Sequence, residues 1–301
     1  MDNAAVNAKP KLSIVVASQN ASRSVRDCLR ALENQRKNGS IEIVVVDNSV
    51  DDTADIVRRE FPSAKFIAAD RGKLIPELWG IGISESSGDY LALTTTHFVP
   101  SASWTVEILK AHEGPHAGVG GAIENDANAG VVSWAIYFCR YSAYMLPFAE
   151  SGVSDFAADN ASYKRRDLER VASSMAEGFW ETFVHQEMLK HGMSLIKLPE
   201  IVVYHQNSFS FSGFMNQRYW HGRQFGAQRA GRVSMAKRAA LIMASPLIPF
   251  LYLFRITRRV FARKRNIGKL VAAFPILSLF LLGWSLGEMS GYVLPGDGSR
   301  R

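Results

Sequence analysis

Residues 12–17 read LSIVVA and residues 41–46 read IEIVVV, and these two runs decide the fold. Each is an almost unbroken series of apolar, mostly β-branched residues, which is typical of strands covered on both faces. The stretches 22–35 and 51–60, which follow them, place apolar residues at helical spacing. Two further strand–helix pairs continue the alternation, at 64–69, 74–86, 90–94 and 101–111, with Ser101 as the expected cap of the last helix. This order predicts an α/β fold with a mixed, mainly parallel sheet flanked by helices.

The composition excludes several classes of protein. The chain has 301 residues, of which 47% are hydrophobic and 21% charged. Such a chain buries a sizeable core and is neither disordered, collagen-like nor a disulfide scaffold. Cys28 and Cys139 allow at most one disulfide, and no short Cys/His spacing suggests zinc. We expect a reducing, cytoplasmic setting, since residues 1–11 show no apolar signal segment.

The net charge of +7 is unevenly distributed along the chain. Residues 209–301 contain 15 Lys and Arg but only 2 Asp and Glu, which leaves 20 basic and 26 acidic residues before them. A basic nucleic-acid binder would not divide in this way. The pattern instead indicates a slightly acidic body attached to an anionic surface by a basic, apolar tail.

Polar side chains follow each of the four predicted strands. They are Ser18, Gln19, Asn20; Asp47, Asn48, Ser49; Asp70, Arg71, Lys73; and Thr95, Thr96, His97. Ligands of parallel sheets bind beyond the carboxyl ends of the strands, so these loops form the expected site. Ordinary turn and capping chemistry is the alternative for each loop taken alone. No glycine-rich dinucleotide or P-loop motif follows the first strand.

The ordered motifs resemble those of the family 2 glycosyltransferases, which have the GT-A fold. They are SIVVASQN from residue 13, VVVDNSVDDT from 44, DRGK from 70, SSGDYLALTTTHFVPSASW from 86 and FWETFVHQEMLKHGMSLIKLPEIVVYH from 179. The resemblance implies transfer of a sugar, with inversion, from a UDP- or GDP-type nucleotide sugar. It also implies that residues after the strands bind the donor: Ser18, Gln19, Asn20, Asp47, Arg71, Lys73, Thr95 and Thr96. A turn role for Asp47, and a solvated charge pair at Arg71 and Lys73, remain open.

The metal position departs from the family pattern. Family members place an Asp-x-Asp-like triplet after the fourth strand, where its oxygens hold Mg²⁺ or Mn²⁺. Thr95, Thr96 and His97 stand there instead. Three alternatives follow: a metal held by His97, diphosphate oxygens and water; neutralisation by Arg and Lys; or a catalytically dead protein.

The resemblance implies that Glu181 is the catalytic base, because it opens the helix that carries the family's acidic motif. Phe179 and Trp180 beside it would raise its pKa by desolvation. A first-turn Glu that favours the helix dipole is the alternative role. An alternative register would put Thr182, which is no base, at the same place. Asn160 and Trp180 are the expected acceptor contacts.

The spacing predicts that Arg218, His221 and Arg223 lie near one face of a helix. In similar enzymes basic residues from this region close over the diphosphate, although the spacing here does not fit the family's Gln-x-x-Arg-Trp motif. A membrane-facing basic helix is the alternative.

Two uncharged segments end the chain, 239–254 and 270–287, with seven basic residues between them. The first is short and contains two prolines, and the second is borderline for a span. If both spanned, the basic loop would lie opposite the cytoplasmic body, against the positive-inside rule. We therefore favour an in-plane or re-entrant hairpin on the cytoplasmic leaflet, with one span or a soluble helix pair as alternatives.

The predicted organisation is a tail at 1–10, the transferase domain at 11–208, a basic linker helix at 209–238, the membrane-associated hairpin at 239–295 and a tail at 296–301. The predicted function is transfer to a saccharide or lipid-linked acceptor at the cytoplasmic membrane face, with no nucleic-acid partner. A GT-A-like protein that binds a nucleotide sugar or a partner without catalysis is the main alternative. A nucleotidyltransferase would need more carboxylates near the sheet edge.

Overall fold

The computed structural model of the chain describes residues 9–38, 40–206, 209–231 and 233–294. The strands are β1 Leu12–Ser18, β2 Ile41–Asp47, β3 Lys65–Ala68, β4 Tyr90–Thr95, β5 Phe98–Pro100, β6 Gly118–Asn125, β7 Ser151–Gly152, β8 Ala161–Lys164 and β9 Leu195–His205. The first seven helices are α1 Val25–Glu33, α2 Thr53–Glu60, α3 Ile75–Ser84, α4 Trp104–Ala111, α5 Val131–Tyr141, α6 Arg165–Glu169 and α7 Glu181–Lys190. The last four are α8 Phe211–Ala230, α9 Met235–Ala244, α10 Ile248–Arg263 and α11 Ile267–Val293.

The chain divides into two compact units. The first comprises Met1–Asp126 and Tyr144–Ser208, and the second comprises Ala127–Ala143 and Phe209–Arg301. The segment 127–143, which contains α5, therefore groups with the C-terminal helices although it lies inside the predicted domain 11–208.

The first unit is built on one mixed sheet. In the described residues its strand order is β3-β2-β1-β4-β8-β6-β9-β5, with β7 paired to β9. The β3, β2, β1 and β4 strands run parallel, as the apolar runs predicted. β8 is antiparallel to both β4 and β6, so the sheet is mixed. The predicted class is confirmed.

Helix α4 begins later than predicted, whereas α1 buries the predicted face. Ser101 does not cap α4, which begins at Trp104; its N–H instead donates to the carbonyl of Val202 (2.9 Å) and extends the sheet. Ser103 is the N-cap residue instead. α1 buries the apolar face that the spacing predicted, through Val25, Cys28, Leu29 and Leu32.

The second unit is held by close contact between α8 and α11. Glycines recur at four-residue spacing on both helices, at 222 and 226 and at 283, 287 and 291. A Cβ added to Gly287 would lie 2.0 Å from the Tyr219 carbonyl oxygen, and one added to Gly226 would lie 2.2 Å from that of Glu288. The two backbones therefore approach as closely as glycine alone permits, a packing that is common between membrane helices.

α10 and α11 form the predicted apolar hairpin. Lys264 and Asn266, both in the left-handed region, make the turn between them. Two helical segments, Met235–Arg263 and Ile267–Val293, are long and apolar enough to cross a membrane. Core helices of soluble proteins pass the same test, but here large apolar side chains remain exposed, among them Phe250, Phe254, Val271 and Leu286.

Candidate active site

The parallel strands end together at one edge of the sheet. Ser18 pairs with Asp47, Ala17 with Thr95, and Asp47 with Ala68. The residues that follow β1, β2, β3 and β4 therefore share one edge, as the sequence predicted.

Hydrogen bonds connect the first two loops at this edge. The Asn20 N–H donates to the Ser49 hydroxyl oxygen (2.7 Å), and the Asn20 side-chain oxygen accepts from the Val50 N–H (3.0 Å). Ser49 in turn donates to an Asp47 carboxylate oxygen (2.6 Å). Asn20 has a φ of 49°, a conformation that asparagine tolerates better than most residues. Asp47 is thus both a turn residue and a nearly buried carboxylate at the strand end.

The third loop joins this group. The Asn48 side-chain nitrogen donates to the carbonyl oxygen of Lys73 (2.8 Å). Lys73 lies 3.8 Å from Glu77, whose other oxygen accepts from the Leu74 N–H at the start of α3 (2.7 Å). Gln19 and Arg71 are exposed beside these residues.

Several buried polar atoms at the strand ends have no hydrogen-bond partner among the described residues. They are the hydroxyl oxygens of Ser18, Thr94 and Thr96 and the side-chain oxygen of Asn48. Buried polar groups are normally paired, and a bound polar ligand is one way in which unpaired ones at a strand edge are satisfied. Thr95 is also buried there.

Glu181 is the first residue of α7, and a backbone contact brings this helix start to the first turn of α3. The Phe179 N–H donates to the Pro76 carbonyl oxygen (2.7 Å). Gly178 permits this approach, since its φ is +107° and an added Cβ would lie 2.7 Å from the same oxygen. Glu181 is half-buried. The structure therefore joins the helix start that carries the predicted base to the first turn of α3, which follows the loop that contains Arg71 and Lys73.

The two predicted acceptor contacts differ in their surroundings. Trp180 is half-buried, and its indole N–H donates to the Glu177 carbonyl oxygen (3.2 Å). Asn160 is 1% exposed; its amide donates to Ala122 and Ile201 carbonyls and accepts from Trp104 (2.8 Å). All its polar atoms are used inside the core, so we do not retain Asn160 in the acceptor site.

The sequence did not single out a buried network beneath Glu181. The Tyr163 hydroxyl lies 2.7 Å from His185 Nε2, and His185 Nδ1 lies 2.5 Å from an Asp155 carboxylate oxygen. Tyr163 and His185 are fully buried, whereas the Asp155 side chain is 44% exposed. The three residues are far apart in sequence and share no periodicity, so no motif indicates them.

The residues at the fourth strand do not fit a divalent metal. His97 is half-buried, and its neighbours Thr95 and Thr96 supply only hydroxyl groups. Within the described residues no group of three or more His, Cys, Asp or Glu could hold a metal ion. Mg²⁺ and Mn²⁺ prefer carboxylate, carbonyl and water oxygens, so one imidazole is a poor site for them.

Arg218 and His221 lie together in the second unit. The Arg218 guanidinium lies 3.4 Å from His221 Nδ1. It also lies over the rings of Phe214 and Trp284, 4.9 and 5.2 Å from their centroids. Burial lowers the pKa of Arg218, and burial with the charges of Arg218 and Arg140 lowers the pKa of His221 to about 4. The Arg223 guanidinium lies separately, 5.5 Å from the Trp220 ring.

A family model described as "Glycosyl transferase family 2" matches residues 13–172. Among solved structures the chain is similar to the mannosyltransferase PcManGT from Pyrobaculum calidifontis in complex with GDP-Man and Mn²⁺. That similarity has a TM-score of 0.51 at 16% sequence identity, and it covers 96% of this chain and 86% of the other. At this identity the likeness shows the fold alone. No curated protein sequence matches the chain.

Proposed function

The chain belongs to glycosyl transferase family 2 and has the GT-A fold, and on this premise we propose that it is an inverting glycosyltransferase. In this proposal a nucleotide sugar binds at the strand edge and a saccharide or lipid-linked hydroxyl attacks its anomeric carbon. The observation that carries the proposal is the hydrogen bond from Phe179 to Pro76, which joins the Glu181 helix start to the first turn of α3, next to the strand edge.

The donor is assigned to the strand edge because of its unpaired polar atoms. Asp47 would accept hydrogen bonds from the nucleoside, while Ser18, Asn20, Thr95 and Thr96 line the same edge. The exposed Arg71 and the half-buried Lys73 would contact the base or the phosphates. Gln19 would lie beside the base and offer its side-chain amide for a hydrogen bond. The solved mannosyltransferase, which was determined with GDP-Man, supports a nucleotide-sugar ligand for this fold.

Glu181 would remove the proton of the attacking hydroxyl. Inverting transfer needs one base at the moment of attack, and a carboxylate within hydrogen-bond reach suits that task. Trp180, the neighbouring residue, would contact the acceptor.

Charge on the leaving diphosphate would be neutralised by basic side chains. The donor set at 95–97 does not fit a divalent metal, so we derive no step through one. The solved mannosyltransferase contains Mn²⁺, so metal dependence with His97 as one ligand stays a prediction. Activity measured with and without Mn²⁺ tests it. Diphosphate binding by Arg218, His221 and Arg223 also stays a prediction.

We place the active unit at the cytoplasmic face of a membrane. The exposed apolar side chains of α10 and α11 support membrane association. Arg255, Arg258 and Arg259 are exposed beside them on α10. By contrast, the side chains of Arg263 and Lys269 donate to backbone carbonyls of the 127–143 segment, so they are partly engaged within the second unit.

A nucleotide-sugar binder without catalysis is the second candidate, because no carboxylate stands at 95–97. The test that separates the two begins with thermal unfolding in a panel of UDP- and GDP-sugars, in which the true donor raises the unfolding temperature. Turnover of that donor with a saccharide acceptor, and a product of inverted anomeric configuration by NMR, would establish the transferase. Stabilisation by the donor without release of nucleoside diphosphate would establish the binder.

A further inference from the structure

We propose that Asp155, His185 and Tyr163 form a positioning network that holds the first turn of α7, and with it Glu181, in the orientation needed for proton abstraction. This inference rests on the proposed function, in which Glu181 is the base. None of the three residues is proposed to contact substrate.

The three residues are joined by two hydrogen bonds, and the chemistry of the carboxylate fixes the direction of the first. The Asp155 carboxylate only accepts, so His185 Nδ1 carries the hydrogen in this contact (2.5 Å). The Tyr163 hydroxyl lies 2.7 Å from Nε2 on the other side of the ring, so these two groups share a hydrogen bond. The hydrogen bonds therefore connect the buried tyrosine through the histidine to the carboxylate, and each bond polarises the next.

The network contacts α7 at two positions. His185 lies one helical turn after Glu181, so the two residues share one face of the helix. The Thr182 hydroxyl donates to the second oxygen of Asp155 (3.3 Å). A single carboxylate thus contacts both the residue next to the base and the residue one turn below it.

The start of α7 has no side-chain cap. Its N-cap residue is Trp180, which makes no side-chain capping hydrogen bond. Serine, threonine, aspartate or asparagine normally fixes a helix start by such a bond. Here the Phe179–Pro76 hydrogen bond lies immediately before the helix, and the Asp155 contacts hold its first turn.

Aromatic packing fixes the network from the core side. The Phe156 ring lies 4.4 Å from the His185 ring, and the Phe179 ring lies 5.1 Å from that of Tyr163. Burial, followed by the negative charges of Glu181 and Asp155, raises the pKa of Tyr163 well above its ordinary value. Tyr163 therefore keeps its hydroxyl hydrogen, and its environment includes the charge of the proposed base.

The test compares Tyr163→Phe and Asp155→Asn with the wild-type full chain. Tyr90→Phe is the matched control, because it removes a hydroxyl from the same sheet without touching the network. Hydrogen exchange followed by mass spectrometry reports the order of residues 180–190 without any substrate. We expect severalfold faster exchange in that segment for the first two variants and unchanged exchange for the control.

Kinetics separate positioning from simple stability. With the donor found in the thermal panel, we expect each network variant to lower kcat about tenfold while donor affinity stays within twofold. In a Glu181→Gln background the same substitutions should cause no further loss, because they act through the base. Unchanged exchange and kcat, or equal losses with and without Glu181, would overturn the proposal.

The experiment also distinguishes failure of this inference from failure of the proposed function. Full turnover in Glu181→Gln alone would refute the base, and with it the positioning role, whatever the exchange shows. Loss of turnover in Glu181→Gln with wild-type kinetics in both network variants would refute only the network. Asp155→Asn keeps the test valid if Tyr163→Phe does not fold. The Asp155 side chain is 44% exposed and asparagine has nearly the same size, so this variant should fold.

Discussion

At the scale of single residues, the site combines structural and binding duties in the same side chains. Asp47 ends a buried strand, accepts from both the N–H and the hydroxyl of Ser49, and is 3% exposed. A carboxyl group is kept so nearly buried only where it has hydrogen-bond partners. Asp47 lies at the edge where the hydroxyl oxygens of Ser18 and Thr96 have no hydrogen-bond partner in the part of the chain that the structure describes.

Asp47→Asn should weaken donor binding by roughly ten- to a hundredfold, because a hydrogen bond to a charged acceptor contributes about 1.5–3 kcal/mol. Calorimetric titration with the donor measures the loss. Asp52→Asn, the same change at an exposed position nearby, is the control. Equal affinities in the wild type and Asp47→Asn would remove Asp47 from the donor site.

His112 makes the stability of the first unit depend on pH. It is 2% exposed, bonded to the Ser162 hydroxyl (2.9 Å) and stacked on Tyr90. Burial, with a smaller contribution from the charge of Lys164, lowers the pKa of His112 to about 3 from its ordinary 6.5. The unfolded chain therefore binds a proton below pH 6.5 that the folded chain excludes, and this contribution to stability is lost as the pH falls from 6.5 towards 3.

Denaturant unfolding between pH 7 and 4 should show this slope, at most about 1.4 kcal/mol per pH unit from this one group. His112→Gln should flatten it, whereas His116→Gln should leave it in place. A wild-type slope in His112→Gln would contradict the assignment.

How much the sequence could predict also depends on the residue. The ends of β1, β2 and β4 were predictable because continuous apolar runs stop there at polar residues. The burial of Asn160 was not, because its partners Ala122, Ile201 and Trp104 come from three other elements. A small-residue stretch indicates close packing but not what the amide in it contacts.

At the scale of elements, antiparallel insertion and helix contact were the features that the sequence left open. The four-residue run of β8 gave no indication that it would lie between β4 and β6. The grouping of α5 with the C-terminal helices is equally non-local. The glycine spacing on α8 and α11 was a readable signal of close helix packing, which the sequence analysis did not use.

Gly287→Ala should destabilise the second unit, by about 1–3 kcal/mol, because its Cβ would lie 2.0 Å from a backbone oxygen that cannot move alone. Thermal unfolding of the full chain in detergent measures the change. Gly268→Ala is the control in the same helix: open space surrounds that position, so alanine should be neutral or stabilise by up to about 1 kcal/mol. Equal unfolding temperatures for the two variants would refute the close α8–α11 contact.

At the scale of the whole molecule, the charge asymmetry corresponds to the two units. The basic and apolar C-terminal third forms most of the second unit, and the strand edge with Glu181 belongs to the first. This division agrees with the proposal that the second unit attaches the protein to a membrane.

The triple variant Arg255→Gln, Arg258→Gln, Arg259→Gln should bind anionic vesicles at least tenfold more weakly, since each basic residue near such a surface contributes about 1 kcal/mol. Flotation with phosphatidylcholine vesicles, with and without phosphatidylglycerol, measures the effect. The control is a second triple variant with the same charge change at exposed positions of the first unit, Arg23→Gln, Arg30→Gln, Arg59→Gln. Identical losses in both variants would mean that total charge, not α10, attracts the vesicle.

The central claim is tested most directly by the turnover number of Glu181→Gln beside that of Glu177→Gln, with the donor identified in the thermal panel. Glu177 is exposed four residues earlier, so the pair makes the same chemical change inside and outside the proposed site. A general base contributes about 10²–10⁴-fold to rate, so we predict a loss of at least a hundredfold in kcat for Glu181→Gln, unchanged donor affinity, and wild-type kinetics for Glu177→Gln. Equal turnover in both variants would contradict the account.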